Sequence, residues 1–433
     1  MKKGKYLATT QKDPGMLLLW ICGAVLLVGI LLLVAWLVMT NNQPEPELET
    51  SPTKATEAPT EKPTEPSTEP TQPEPVEPPA PQLTEAEQKA LEIMAEMTDE
   101  EKAWQLFFVT PEQLTNTDNV VYAGPTTKAS LEARPVGGII YFSHNLQNRS
   151  QVQNLINGSQ EYSKLGLFIA VDEEGGTVTR LSSNSELGVA DVGDMADVDD
   201  AEAANKVGVD LGNALKELKF NVDFAPVADV WSNPNNSVAK YRGFGSEAED
   251  VAQKVAACVE GFRETGVLCT LKHFPGHGNT GEDSHNGAAV SNKTLEELRE
   301  CELLPFRAGI DAGAQFVMVG HISLPNVTTD GLPASLSKEI MNDLLREEMG
   351  FKGLIITDAM NMGAITNYYG SAEAAVMTLK AGADMVLMPA DLTAAYNGVL
   401  EEMQNDEQMR ALVEEKVMRI LATKIEAGII TVE

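Results

Sequence analysis

The segment Lys272–His285, KHFPGHGNTGEDSH, holds the densest group of residues that could do chemistry. It contains His273, His277 and His285, three of the five histidines in the chain, among glycines that are typical of a loop. Asp283 and His285 are two residues apart, so their side chains point to the same side of an extended stretch. A carboxylate beside an imidazole orients the ring and stabilises its charged form. This pair is therefore a candidate for general acid and base catalysis.

Two other interpretations of this segment stay open. Its histidines could bind a metal, because imidazole is a common zinc ligand, but their spacing matches no zinc motif that we can defend. The segment could also be an ordinary solvated surface loop. We favour the acid and base interpretation because the histidines are so concentrated here. We expect neither a metal nor another cofactor.

Asp358 is a second candidate for chemistry. It directly follows the apolar run GLIIT, within the sequence TDAMNM. Apolar surroundings would hold a carboxylate rigidly at the end of a buried strand. Such a group could attack an anomeric carbon and form a covalent glycosyl-enzyme that water then resolves. Asp358 is therefore the candidate nucleophile.

Five further residues are candidates for substrate binding. Asp172 and Arg180 lie on one glycine-containing segment, DEEGGTVTR, and Arg242 lies in YRGFGSE. Asp172 could accept hydrogen bonds from sugar hydroxyls, and the arginines could donate to hydroxyls or to an acyl oxygen. Either arginine could equally form a structural ion pair. Lys272 and His273, which lie together at the end of the run CTLKHF, are the stronger candidates.

Eight short apolar runs are candidate strands, and helical stretches lie between most of them. Runs this continuous indicate strands that are buried on both faces, as in a parallel sheet. Eight such units predict an α/β fold, a (β/α)8 barrel of the TIM type, with an open doubly wound sheet as the alternative. The candidate strands are LFFV (106–109), GGIIYF (137–142), LFIAVD (167–172), VDFAPVAD (222–229), CTLKHF (269–274), QFVMVGH (315–321), GLIITDAM (353–360) and DMVLMP (384–389).

In such a barrel the active site lies at the carboxyl ends of the strands. Polar residues lie at or near the ends of five apolar runs: Asp172, Asp229, Lys272, His321 and Asp358. Any one of them could cap a helix instead. Because all of them belong to the same end of the sheet, we expect them to line one pocket.

Composition divides the 433 residues into four segments. Residues 16–39 are an apolar run long enough for a transmembrane helix, and the lysines of residues 1–15 place the N-terminus in the cytoplasm. We expect an uncleaved signal anchor in a single-pass cell-membrane protein, with a cleaved signal peptide as the alternative. Residues 40–82 are rich in Pro, Glu and Thr and predict a disordered linker. Residues 83–433 form the barrel domain, which we expect to be extracellular.

Charge and cysteine content narrow the possible partners. The formal net charge is −32, and so acidic a chain repels phosphate backbones and is not expected to bind nucleic acid. Cys22, Cys258, Cys269 and Cys301 are too few and too scattered for a disulfide framework, and their spacing fits no thiolate zinc site. We expect the cysteines to be buried small hydrophobic residues.

The run KHFPGHG followed by DSH resembles the signature of glycoside hydrolase family 3, in its β-N-acetylglucosaminidase branch of the cell-wall-recycling type. The similarity covers nearly the whole globular part, through MTDEEKAWQLFFV, GGIIYF, DEEGGTVTR, APVADV, YRGFG, TDAMNMGAI and AGADMVLMP. It implies a single-domain barrel that releases terminal, non-reducing β-linked N-acetylglucosamine with retention. We expect the substrate to be a peptidoglycan-derived glycan and the protein to be a monomer.

The resemblance also implies a role for each candidate residue. Asp358 would be the nucleophile and His285 the acid and base, assisted by Asp283. The residues implied to bind the sugar are Asp172, Arg180, Arg242, Lys272 and His273. Water and phosphate both stay open as acceptors. The competing hypotheses are a β-glucosidase or β-xylosidase of the same family and a non-catalytic cell-wall-binding barrel.

Overall fold

The computed structural model describes residues 83–237, 239–281 and 289–431. The predicted anchor at 16–39, the predicted linker at 40–82, and both Asp283 and His285 lie outside these ranges. Within the described ranges, no helix is long and apolar enough to cross a membrane.

The central sheet has eight strands in the described part of the chain, all parallel, in the order β10-β1-β2-β3-β4-β5-β7-β9. Ile356 and Met385 form a parallel bridge between the two edges of this sheet, as barrel closure requires. A separate pair, β6 with β8, is also parallel. The strands are β1 Phe107–Val109, β2 Gly138–Ile140, β3 Phe168–Val171, β4 Val222–Asp223, β5 Leu268–Phe274, β6 Ala289–Val290, β7 Phe316–Val319, β8 Ile322–Ser323, β9 Leu354–Thr357 and β10 Val386–Leu387.

Burial explains why the apolar runs form these strands. Every residue of the eight strands of the central sheet is buried. Aromatic side chains at strands that are not neighbours in the sheet contact one another. The ring centroids of Phe108 and Phe224 are 5.3 Å apart, and those of Phe168 and Phe316 are 5.2 Å apart. Each of the eight predicted runs overlaps a strand, although only Val222–Asp223 of the run 222–229 is one, and the predicted parallel arrangement is confirmed. The β6 and β8 pair was not predicted, because two residues are too short to form a recognisable run.

Helices occupy most of the connections between the strands. Ala201–Leu218 and Ala248–Thr265 pack closely, since a Cβ on Gly208 would lie 2.2 Å from the Cys258 carbonyl oxygen. A further helix, Glu339–Glu348, is of the wider π type. The α-helices are Glu85–Ala95, Asp99–Gln105, Pro111–Thr115, Pro125–Ala133, Arg149–Tyr162, Ala201–Leu218, Ala248–Thr265, Leu295–Glu300, Leu303–Asp311, Gly363–Thr366, Ser371–Ala381, Leu392–Asn405 and Glu407–Glu426.

The described cysteines are free thiols. Cys258 and Cys269 are buried between helix and sheet, as expected of small hydrophobic residues, whereas Cys301 is half-buried. Burial raises the pKa of the Cys269 thiol to about 12, so that thiol stays protonated and unreactive. Cys22 lies outside the described residues.

Candidate active site

A cavity of about 330 Å³ opens at the carboxyl ends of the strands. Six of the eight predicted site residues line it: Asp172, Arg180, Arg242, Lys272, His273 and Asp358. The other two, Asp283 and His285, lie outside the described residues. Much of the remaining lining is apolar and includes Ile140, Phe142, Phe224, Met318, Leu387 and Met388.

The strands place the chemical groups around this cavity. Asp172 directly follows β3, Lys272 and His273 lie near the end of β5, and Asp358 directly follows β9. Asp358 is half-buried, and its N–H donates to the Val319 carbonyl at 2.9 Å. The Ala359 N–H donates to Asp358 Oδ1 at 2.7 Å. The carboxylate is therefore held at the cavity wall by the strand end and by its own loop.

Lys272 is a buried ammonium between two carboxylates. Its Nζ lies 2.8 Å from Asp172 Oδ1 and 2.5 Å from Glu174 Oε1. Burial alone would lower the pKa of Lys272, but the charges of Asp172 and Glu174 outweigh that effect and raise it. Lys272 therefore stays charged and gives the cavity a fixed positive group beside the acceptor Asp172.

Glu174 was not predicted as a site residue, although it lines the cavity. Its carboxylate accepts from Arg242 Nε at 2.7 Å and from Arg242 Nη2 at 2.8 Å, as well as from Lys272. Burial opposes ionisation of Glu174, yet the neighbouring cations Arg242 and Lys272 hold its pKa well below its usual range. Arg242 is thus both part of an ion pair and part of the cavity wall. The three adjacent carboxylates of DEEGG mark this run as a candidate part of the site, but they do not show which glutamate faces the cavity.

Glu173, the middle carboxylate of that run, shapes the loop that carries Arg180. It is fully buried and accepts from the backbone N–H groups of Arg180, Leu181 and Ser182 at 2.7, 2.6 and 3.0 Å. These bonds fold the loop back on Glu173 and hold Arg180 at the cavity. The guanidinium of Arg180 lies 5.7 Å from the centre of the Phe142 ring, within the range of a cation–π contact.

The expectation that every polar strand-end residue lines the pocket is wrong for Asp229 and His321. Asp229 is buried next to His273, with its Oδ2 2.8 Å from His273 Nδ1. His321 is fully buried, with Nδ1 2.7 Å from Ser335 Oγ and Nε2 3.0 Å from the Ala359 carbonyl oxygen. A polar side chain at the end of a strand can turn towards a neighbouring part of the chain instead of towards the barrel axis. Both residues hold the backbone that surrounds the cavity.

His277 lies beside His273 in the same buried layer, with ring centroids 5.8 Å apart. Its Nδ1 is 2.8 Å from Thr280 Oγ1, and burial lowers its pKa. The Nδ1 atoms of both histidines therefore have partners within the protein. In the described part of the chain, no group of three or more His, Cys, Asp or Glu residues could hold a metal ion.

The cavity lining combines two kinds of chemistry. Charged groups such as Asp172, Lys272 and Arg242 line it together with aliphatic and aromatic side chains. A sugar ring has hydroxyls at its edge and apolar C–H faces, so it can contact both kinds of group. A carboxylate, Asp358, lies at the same cavity.

Comparison with known proteins agrees with this geometry. The family profile described as "Glycosyl hydrolase family 3 N terminal domain" matches residues 99–423. The chain belongs to glycoside hydrolase family 3. The resemblance found in the KHFPGHG and DSH sequence is confirmed at the level of the family.

Three relatives show the range of similarity. Beta-hexosaminidase A from Pseudoalteromonas piscicida is 37% identical over 273 residues, which cover 59% of this chain and 46% of that protein. Beta-hexosaminidase LpqI from Mycobacterium tuberculosis is 35% identical over 268 residues, covering 60% of this chain and 68% of that protein. The solved family 3 β-N-acetylglucosaminidase from Paenibacillus sp. str. FPU-7 is 36% identical with a TM-score of 0.71, covering 78% of this chain and 65% of that chain. The match thus spans about half of the P. piscicida relative and just under two thirds of the Paenibacillus structure.

Proposed function

We propose that the chain is a retaining exo-β-N-acetylglucosaminidase that removes terminal, non-reducing β-linked N-acetylglucosamine. The observation that carries the proposal is that Asp358 lines the same cavity as the ionic group of Asp172, Lys272 and Arg242. The similarity to beta-hexosaminidases and to a β-N-acetylglucosaminidase supports this activity over others in the family.

In the proposed reaction a carboxylate oxygen of Asp358 bonds to the anomeric carbon as the bond from that carbon to the leaving oxygen breaks. His285 gives its proton to the leaving oxygen, and Asp283 stabilises the charged ring. Water then attacks the same carbon, gives a proton to His285, and releases Asp358. Two displacements at one carbon retain the configuration.

The sugar is proposed to bind through Asp172, Arg180, Arg242, Lys272 and His273. Asp172 accepts from hydroxyls while Lys272 and Arg242 donate. Because Glu174 fixes both Lys272 and Arg242, the donors are positioned before substrate arrives. Such preorganisation lowers the entropic cost of reaching the transition state.

A panel of aryl β-glycosides, assayed with and without phosphate, tests the proposed activity. We expect faster hydrolysis of the N-acetylglucosaminide than of the glucoside or xyloside. Faster cleavage of the glucoside would favour the alternative β-glucosidase, and no cleavage of any member would favour a non-catalytic wall-binding barrel. Aryl glycoside consumed only with phosphate, giving a sugar phosphate, would identify phosphate as the acceptor.

We propose peptidoglycan-derived glycans as the natural substrate class, because the sequence resembles the cell-wall-recycling branch. Reducing-end analysis of soluble wall fragments, before and after treatment with the protein, tests this. We expect release of free N-acetylglucosamine from fragments that carry it at the non-reducing end. Cleavage of aryl substrates without any release from wall fragments would contradict the natural substrate and leave the activity itself standing.

We further propose that residues 16–39 anchor the protein in the cell membrane and that residues 40–82 hold the barrel outside it. The basis is the long uncharged run behind a lysine-containing N-terminus. In cell fractionation, the full chain should sediment with membranes, and added protease should release the activity from intact cells. A Leu27→Arg, Leu32→Arg variant should lose membrane association. Full-length protein in the soluble fraction would contradict the anchor.

A further inference from the structure

The carboxylate of Asp229 binds the KHFPGHG segment at two places, the end of β5 at His273 and the backbone at His277. Its Oδ2 lies 2.8 Å from His273 Nδ1. Its Oδ1 accepts from two backbone N–H groups, that of His273 at 3.2 Å and that of His277 at 2.6 Å. The side chain of Asp229 is 1% exposed, so these bonds form away from solvent. The residue therefore contacts both the strand end and the base of the loop that leads to Asp283.

The ionised carboxylate fixes which nitrogen of His273 carries the proton. Burial opposes the charge of Asp229, but the two neighbouring histidines and their hydrogen bonds keep its pKa below the usual value. An ionised carboxylate accepts and cannot donate, so a neutral His273 has its proton on Nδ1. Nε2 is then a lone-pair acceptor, and it lies 3.5 Å from Nη2 of Arg242, which can only donate.

We infer that Asp229 is a positioning residue that acts through His273, by fixing the tautomer that presents Nε2 to the cavity as an acceptor. The inference rests on the proposed function, because a substrate hydroxyl would be the donor to that nitrogen. Loss of this tautomer would turn Nε2 into a donor facing the cation of Arg242. Substrate would then meet a donor where its own hydroxyl donates.

One substitution of Asp229 can change its contact with the His273 ring and leave its backbone contacts in place. In Asp229→Asn, the Oδ1 atom can still accept from the backbone of His273 and His277, since both bonds fall on that one oxygen. Only the second oxygen changes, into an amide that donates to His273 Nδ1. The loop base has further support, because Asn236 Nδ2 donates to the carbonyl oxygens of His277 and Thr280 at 2.8 and 3.0 Å. D229N should therefore fold while reversing the tautomer.

The test compares D229N with the wild type on an aryl β-N-acetylglucosaminide, and repeats the comparison in a His273→Ala background. Positioning through His273 predicts a loss in kcat/KM of about 10- to 100-fold in the wild-type background, with the melting temperature shifted by no more than about 3 °C. In the H273A background, D229N should change kcat/KM by less than about twofold, because the partner through which it acts is gone. Wild-type activity in D229N, or an equal loss in both backgrounds, would overturn the inference.

A second measurement is independent of activity. The ¹⁵N NMR spectrum of protein labelled at histidine should show His273 of the wild type protonated at Nδ1 and unprotonated at Nε2, and D229N should show the reverse. The resonance is assigned by its loss in H273A. A wild-type His273 protonated at Nε2 would overturn the inference even if D229N did not fold. If the wild type cleaved no N-acetylglucosaminide, the proposed function would fail while this spectrum still decided the tautomer.

Discussion

Glu174 and Arg242 form a bidentate ion pair at the wall of the cavity, with Nε–Oε2 and Nη2–Oε1 distances of 2.7 and 2.8 Å. The Glu174 side chain is 1% exposed and the Arg242 side chain 14% exposed, so solvent screens the pair weakly. The same carboxylate holds Lys272 at 2.5 Å. One buried anion therefore fixes two cations that the proposed mechanism uses to bind the sugar.

Glu174→Gln should reduce both stability and activity. The variant leaves Lys272 and Arg242 close together with less negative charge between them, and removing one partner of a buried ion pair costs about 3–5 kcal/mol. We expect a lower melting temperature and a kcat/KM reduced at least about 100-fold on an aryl N-acetylglucosaminide. The matched control is Asp210→Asn, which breaks the exposed pair with Lys206 and should change neither quantity measurably. Equal behaviour of the two variants would contradict a role for Glu174.

His285→Ala should impair substrates according to their leaving group. A good leaving group such as dinitrophenolate departs without a proton, whereas a poor one such as phenolate needs the general acid. We expect the loss in kcat/KM to be small for the dinitrophenyl glycoside and at least about 100-fold for the phenyl glycoside. Azide should accelerate turnover of the variant and give a β-glycosyl azide, because it replaces the base-activated water. A loss of the same size on both substrates would show that His285 is not the acid.

The backbone of Met388 is strained at the cavity wall. Its φ of 47° lies in the left-handed region, which costs a residue with a side chain about 1–2 kcal/mol. Met388→Gly should therefore be more stable than Met388→Ala by about 1 kcal/mol, which is the reverse of the usual order. At Glu401, an exposed position within the helix Leu392–Asn405, the alanine variant should be the more stable. Urea unfolding measures the free energies of the glycine and alanine variants at both positions. If alanine were the more stable variant at position 388 as well as at position 401, the backbone of Met388 would not be strained.

Lys424 should make stability depend on pH. Its Nζ is buried at the opposite end of the barrel, where it donates to Gln105 Oε1 at 2.8 Å and to the Gly166 carbonyl at 2.9 Å. Burial lowers the pKa of Lys424 to about 7, whereas in the unfolded chain it is about 10.4. Between these values the unfolded state binds more protons, so the wild type gains stability as pH rises from about 7 to about 10, by at most about 1.4 kcal/mol per pH unit. Below pH 7 the full cost of burying the charge is present.

Thermal unfolding of the wild type and Lys424→Met across that pH range measures the effect. The wild type should gain stability relative to K424M as pH rises. The matched control is Lys352→Met, at an exposed position. Its free energy of unfolding should differ from that of the wild type by the same amount at every pH in this range. A constant difference for K424M as well would mean that Lys424 keeps an ordinary pKa when folded.

Much of the barrel could be predicted from the sequence because its strands are buried on both faces. Continuous apolar runs such as those around Phe168 and Ile355 have few other structural interpretations. The ends of those runs also indicated where Asp172, Lys272 and Asp358 would meet. The cavity confirms that they lie together. Their chemical roles remain predictions.

Side-chain direction at the strand ends could not be predicted in the same way. In DEEGG the carboxylates of Asp172 and Glu174 both contact Lys272 at the cavity, whereas the carboxylate of Glu173 accepts from the backbone of residues 180–182. Nothing in the residue types indicates that Glu174 would face the cavity while Glu173 would bind backbone. Asp229 and His321 were misplaced because their hydrogen-bond partners, such as His273 and Ala359, come from other parts of the chain.

The proposed mechanism depends on a covalent intermediate on Asp358, which can be trapped. A 5-fluoro N-acetylglucosaminyl fluoride slows breakdown of the intermediate more than its formation, so the labelled enzyme accumulates and can be digested and sequenced by mass spectrometry. We expect one glycosyl group, attached to Asp358, and none in Asp358→Ala. A glycosyl group on another residue, or turnover of the aryl N-acetylglucosaminide with inverted configuration, would contradict this mechanism.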